Sequence, residues 1–199
     1  MARVIFITGG SRSGKSSYAQ KRAEDLPGPR AYLATCPVLD EEMALRCRKH
    51  QEARSGADWD TIEEEINLAG VLKSCRSYSV ILVDCLTLWI NNLIYEAGRN
   101  HRTVTEDDIA EECRALLDAC ALFPGTLIFV SNEVGMGIVP DNALGRQFRD
   151  NAGRCNQIVA AAADEVIVLI SGIPWCLKKE EKDEATGPNP ERDRSGGCR

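Results

Sequence analysis

A chain of 199 residues with 44% hydrophobic content can bury a sizeable core and most simply forms one domain with one active site. Its formal net charge of -6 leaves no overall basic footprint, which argues against a dedicated nucleic-acid binder and makes any phosphate binding a local matter. The nine cysteines include no C-x-x-C pair, so neither a zinc ribbon nor a thioredoxin-like redox pair is indicated; most read as small core residues in a reducing compartment.

In chain order, "RVIFIT" (3–8), "AYLAT" (31–35), "SVILVD" (79–84), "TLIFVS" (126–131) and "EVIVLI" (165–170) are short, nearly continuous apolar runs. Runs of that kind suit strands buried on both faces of a parallel sheet. Between them, helices are expected over 16–25, 40–54, 86–98, from the cap Thr105 to about 122, and over 141–163. Thr105 earns its place as a cap from the acidic turn "EDD" behind it, with Asp108 three residues on. Alternating strands and helices predict an α/β sheet with right-handed crossovers and ligands at the carboxyl ends of the strands. Residues 1–178 are read as one domain and 179–199, charged and rich in Gly and Pro, as a disordered tail. A strand-like run follows Met1 almost at once and no apolar run approaches about 18 residues, so the expectation is a cytoplasmic protein without a membrane span.

"GGSRSGKS", Gly9 to Ser16, fits G-x-x-x-x-G-K-[ST] and falls between an expected strand and an expected helix. Glycines let the backbone curl with its N–H groups around an anion, and the helix N-terminus adds partial positive charge. Lys15 would reach the β- and γ-phosphates of a nucleoside triphosphate, and the Ser16 hydroxyl would ligate Mg²⁺. Asp84, ending "VILVD", is placed to hold the same Mg²⁺ in the manner of a Walker B aspartate.

The two histidines differ in setting. His101 lies in the polar loop "GRNHRTV" and reads as solvated. On a helix over 40–54, Arg46, His50 and Arg54 share a stripe with Lys49 beside it. Such cations depress an imidazole pKa and bind phosphate oxygens, which makes His50 a competent nucleophile for phosphorus. The spacing equally fits a solvated basic face with His50 packed beside Met43 and Cys47.

The combination "TGGSRSGKS", "YLAT", "DEEMALRCRKH", "VDCLTLWINNL", "SNEVGMGIVP" and "FRDNAGRCNQIVAAAADEV" resembles the bifunctional adenosylcobinamide kinase / adenosylcobinamide-phosphate guanylyltransferase family of cobalamin biosynthesis. The resemblance runs in order over about residues 3–178. It implies a P-loop NTPase fold of the RecA-like kind, with a mostly parallel sheet flanked by helices, and a homotrimer. It also implies phosphorylation of adenosylcobinamide with ATP or GTP, then transfer of GMP from GTP onto that phosphate through a GMP-histidine, for which His50 is the matching position. Carried over residue by residue, nucleotide contacts fall on Gly9, Gly10, Ser11, Arg12, Ser13, Gly14, Lys15 and Ser16, on Thr35, Cys36 and Pro37, on Gln51, Glu52, Ala53 and Arg54, and on Glu63 and Asp84. The chain departs from some members by Lys49 in place of a second histidine and by "QEARS" in place of "KDGRP". A monofunctional P-loop kinase needs Lys15 but not His50, and a non-catalytic nucleotide switch needs neither reaction; both remain open at this point.

Overall fold

The computed structural model describes residues 2–37 and 59–179. All five apolar runs form strands, because in a sheet covered by helices each can bury both faces. They are β1 (Arg3–Gly9), β2 (Arg30–Ala34), β4 (Val80–Asp84), β5 (Thr126–Asn132) and β6 (Glu165–Ile170). Two further strands, β3 (Trp59–Glu63) and β7 (Ile173–Lys179), lie at the two edges of the sheet, whose order is β3-β2-β4-β5-β1-β6-β7. Every pairing is parallel except β6 with β7.

Five helices occupy the described residues: α1 (Lys15–Glu24), α2 (Leu68–Ser74), α3 (Leu86–Arg99), α4 (Glu106–Leu122) and α5 (Ala143–Ala162). Four begin within two residues of the expected positions, while α2 carries only seven residues and was not foreseen. The expected helix over 40–54 lies outside the described residues. Thr105 closes a full capping box on α4, accepting from the Asp108 N–H while Asp108 Oδ2 accepts from the Thr105 N–H at 2.7 Å.

Each sheet face has its own core. One gathers Phe6, Leu33, Ile81, Val83, Leu127 and Phe129 with Trp89 of α3, Leu116 of α4 and Val159 of α5. The other gathers Ile5, Ile7, Leu82, Ile128, Val130 and Ile167 with Ala19 and Ala23 of α1. Trp89 is 1% exposed, and its indole N–H donates to the Ile66 carbonyl at 2.8 Å, so a large apolar surface is buried with its one donor satisfied. At the amino ends of the strands, the buried Glu165 accepts from both Arg3 and Arg22 at 2.9 Å. That tie leaves the opposite, carboxyl end of the sheet to carry the site.

Candidate active site

β1 runs straight into the glycine turn, and α1 begins at Lys15 directly after it. Gly14 adopts φ 90°, a left-handed conformation that glycine takes without a Cβ clash. Gly9 is needed for a different reason: a Cβ there would stand 2.5 Å from the Leu169 carbonyl oxygen and 2.7 Å from Ser13 Oγ. The turn is held from both sides, with Gly172 N–H donating to the Ser13 carbonyl at 2.9 Å and Glu133 N–H to the Gly9 carbonyl at 3.0 Å.

The N-terminus of α1 has no side-chain cap and no acidic residue in its first turn. In α4, by contrast, Thr105 caps the first turn and three acids stand within it. An uncapped helix start behind a glycine turn keeps its donors and partial positive charge for an anion. Ser13 Oγ, buried in the turn, has no hydrogen-bond partner among the described residues.

Lys15 is 8% exposed, and its Nζ donates to the Gly10 carbonyl at 3.1 Å. Burial pulls its pKa below the ordinary lysine value, against the opposing pull of Cys85 and Asp84. A phosphate anion is what this ammonium lacks to offset its lost hydration.

Asp84 ends β4 half-exposed, and the buried Tyr32 on β2 donates its hydroxyl to Asp84 Oδ2 at 3.2 Å. Asp84 acts electrostatically on Lys15, so the structure brings these two expected site residues together. Ser16, one residue into α1, is partly exposed. A serine hydroxyl and one free carboxylate oxygen are hard donors. Two such ligands suit Mg²⁺, which takes few protein ligands and fills its octahedron with phosphate oxygens and water. Among the described residues no group of three or more His, Cys, Asp and Glu is placed to hold a metal.

Thr35 is fully buried just beyond β2, where its hydroxyl donates to the Cys85 carbonyl and accepts from the Cys85 N–H, each at 2.8 Å. Its own carbonyl accepts from Asn92 of α3 at 2.8 Å. This lacing fixes the segment Thr35–Pro37 against the end of β4. Glu63 is exposed at the end of β3, opposite Ala34, which in turn stands opposite Asp84. Two strand spacings separate Glu63 from Asp84, about 10 Å. His50 and residues 51–54 lie outside the described residues. His101 is exposed, as its polar loop suggested.

Sequence reasoning did not single out Tyr32, Asn92 or the buried trio Thr87, Ser131 and Asn156. The first sat inside an apolar run that read as strand, and the others were isolated polar residues in long helices or at a strand end.

The sequence profile of the cobinamide kinase / cobinamide phosphate guanyltransferase (CobU) family matches residues 5–177. The chain belongs to this family. It is 41% identical over 182 residues to the bifunctional adenosylcobalamin biosynthesis protein CobU of Salmonella typhimurium, covering 88% of this chain and 99% of that one. Identity to CobU of Escherichia coli is 39% over the same shares of each chain. The CobP protein of Pseudomonas aeruginosa, likewise called a bifunctional adenosylcobalamin biosynthesis protein, is 38% identical over 87% of this chain and 96% of its own. The fold extends further than the family. An ATPase of the type III secretion system of pathogenic bacteria superposes with a TM-score of 0.56 at 14% identity, over 84% of this chain and 51% of that one. The match to that ATPase marks the sheet as a P-loop fold, while the CobU profile runs from within β1 to within β7.

Proposed function

We propose that the chain phosphorylates the aminopropanol hydroxyl of adenosylcobinamide with ATP or GTP and then transfers GMP from GTP onto that phosphate, giving adenosyl-GDP-cobinamide. The observation that carries the reading is the buried Lys15 ammonium at the uncapped start of α1, set within the field of Asp84. In a chain of this family, that arrangement is a triphosphate cradle.

In the kinase step the residues Gly9–Ser16 wrap the β- and γ-phosphates, and Lys15 leaves the Gly10 carbonyl to neutralise charge as the γ-phosphoryl group departs. Ser16 and Asp84 would hold Mg²⁺, which when bound screens the phosphate charge. Tyr32 keeps one Asp84 oxygen occupied and so orients the other. Thr35, Cys36 and Pro37, with Glu63 along the strand ends, border the nucleotide beside β4.

In the second step the His50 imidazole attacks the α-phosphorus of GTP, forming a phosphorus–nitrogen bond while pyrophosphate leaves. The corrinoid phosphate oxygen then attacks the same phosphorus and frees the imidazole. Gln51, Glu52, Ala53 and Arg54 border this second site. Family membership and the four-residue spacing of Arg46, His50 and Arg54 in the sequence support the assignment.

We read residues 1–178 as the catalytic domain and 179–199 as a charged tail, in a cytoplasmic enzyme. Among the described residues no helix is long and apolar enough to cross a membrane. A homotrimer is supported by the outer strand β7, whose Ile173, Trp175 and Leu177 are each more than half exposed.

Incubation with α-labelled GTP and Mg²⁺ tests the reading. Acid-labile, base-stable label on the native protein and none on His50→Ala is the expected result, with phosphorylation of cobinamide retained by His50→Ala and lost in Lys15→Ala. No label on the native protein, with phosphorylation intact, would leave a monofunctional kinase.

A further inference from the structure

β5 lies between the strand that leads into the glycine turn and the strand that ends on Asp84, and its last residue, Asn132, stands opposite Gly9. Side chains alternate between faces along a strand, so parity decides where Asn132 projects. Ile128 and Val130 share a core with Ile5, Ile7, Val80 and Leu82 and with Ala19 and Ala23 of α1. The next residues of that parity are Asn132, Gly9 and Asp84. Asn132 therefore stands on the α1 face, with Asp84 and the start of α1. Val130 is level with Asp84 in the register, which puts Asn132 two residues further towards the mouth of the site.

Ser131 has the opposite parity and enters a ring of hydrogen bonds on the other face. The Asn132 N–H donates to Thr87 Oγ1 at 2.6 Å, and the Asn132 carbonyl accepts from Asn156 Nδ2 at 3.1 Å. Ser131 Oγ donates to Asn156 Oδ1 at 2.6 Å and lies 3.1 Å from Thr87 Oγ1. With its proton committed to Asn156, Ser131 must accept from Thr87. The Ser131 proton and the Asn132 N–H are then both committed within the ring. All three side chains are buried, and the next N–H along, that of Glu133, is tied to the Gly9 carbonyl. A buried polar ring of this kind rigidifies what it encloses. Here it fixes one residue at both ends of its peptide. The Asn132 carboxamide itself is half-exposed and makes no hydrogen bond with the described residues.

We propose that Asn132 is a terminal-phosphate contact. Its carboxamide N–H donates to a γ-phosphoryl oxygen of the triphosphate held by the glycine turn, and Thr87, Ser131 and Asn156 are positioning residues that hold it there. An amide donor adds no charge of its own, so its bond strengthens as negative charge gathers on the phosphoryl oxygens. The inference rests on the reading that the turn binds a nucleoside triphosphate. It adds to that reading the group that tells a triphosphate from a diphosphate.

Calorimetric titration of the full chain with Mg²⁺ and either the β,γ-imido analogue of GTP or GDP tests it without any turnover. Asn132→Ala is expected to weaken the imido triphosphate about 10-fold or more while leaving GDP unchanged, with a thermal midpoint near that of the native chain. Asn132→Asp should weaken the triphosphate further, through repulsion, and again spare GDP. Ser131→Ala and Asn156→Asp, which open the ring without removing the contact, should give smaller losses confined to the triphosphate. Native protein that binds both nucleotides, with Asn132→Ala either unchanged or weakened equally for both, overturns the inference alone. Native protein that binds neither overturns the nucleotide reading and this inference with it.

Discussion

The Tyr32 hydroxyl donates to Asp84 Oδ2 at 3.2 Å, and the Tyr32 ring meets Trp59 edge-on with centroids 6.4 Å apart. The phenol thus joins the carboxylate to an aromatic pair that keeps its ring from turning. Tyr32→Phe keeps the ring and removes only the donor. The expected outcome is a several-fold rise in the Mg²⁺ concentration for half-maximal phosphoryl transfer, with stability lowered by about 1 kcal/mol. A magnesium titration of initial rates checks it, and an unchanged midpoint would separate Tyr32 from the site.

Lys15 is buried as an ammonium, with burial as the main cause of its lowered pKa. The sign follows from proton counts. Between the lowered folded pKa and the ordinary lysine value, the unfolded chain holds more protons than the native one, so Lys15 adds a stability that rises with pH across that window. Below the window the nucleotide-free protein carries a constant penalty. Lys15→Met removes it and is expected to raise the thermal midpoint at pH 7 while abolishing nucleotide binding. Triphosphate affinity of the native chain should decline as pH rises through the same window, since the bound anion favours the charged lysine. Differential scanning and binding titrations at several pH values read both effects.

Gly9 answers to packing as well as to its positive φ of 156°. A Cβ there meets the Leu169 carbonyl oxygen and Ser13 Oγ, both well inside contact distance. Backbone at Leu169 belongs to β6 and has no room to yield. Gly9→Ala is expected to cost about 1–3 kcal/mol by overpacking and to spread the turn enough to lower triphosphate affinity. Chemical denaturation and the same binding titration measure the two losses. A fully stable variant with native affinity would show that the turn tolerates widening.

The centre of the fold was legible because buried parallel strands leave a plain signature. Up to their last residue, "VIFIT", "VILVD" and "LIFVS" have only apolar side chains to place on two covered faces. The edges were not legible, for the converse reason. Trp59–Glu63 mixes exposed and half-buried residues without a clean alternation, and Ile173–Lys179 carries Pro174 at its second position, which only an edge strand accommodates. The short α2 depends on Asn67, whose side chain accepts from the Gly70 N–H at 2.9 Å, and seven residues carry too little periodicity to show. Within the site, the glycine turn and Asp84 announced themselves through spacing and strand context. Tyr32 did not, since its role arises only when β2 and β4 pair and bring residues 52 positions apart into contact.

Cys85 follows Asp84 directly, and its thiol is pushed up to about 12, chiefly by burial, with the Asp84 charge adding to it. Burial alone lifts Cys120 to about 12 as well. Thiolate is the reactive form, so neither should react at pH 8. Cys176 is exposed on the outer strand. Iodoacetamide at pH 8 is therefore expected to label Cys176 and spare Cys85 and Cys120, with peptide mass spectrometry as the readout. Labelling of Cys85 in the folded chain would mean that the end of β4 opens to solvent.

Trp175 stands 64% exposed between Ile173 and Leu177 on the outermost strand, beside the equally exposed Ile170 that pairs with Ile173. An edge strand bearing three large apolar side chains in the open, with a fourth on the strand beside it, is a surface that monomers avoid, because it invites both strand pairing and apolar association. Trp175→Glu puts a charge at its centre. The side chain leaves no core void when replaced, so the chain should keep its circular dichroism and fold. If this stripe joins the subunits of the proposed homotrimer, light scattering on the eluting protein should fall from the mass of three chains to that of one. A trimer that survives the substitution would move the interface elsewhere, to the exposed segment Met136–Val139 among the described residues.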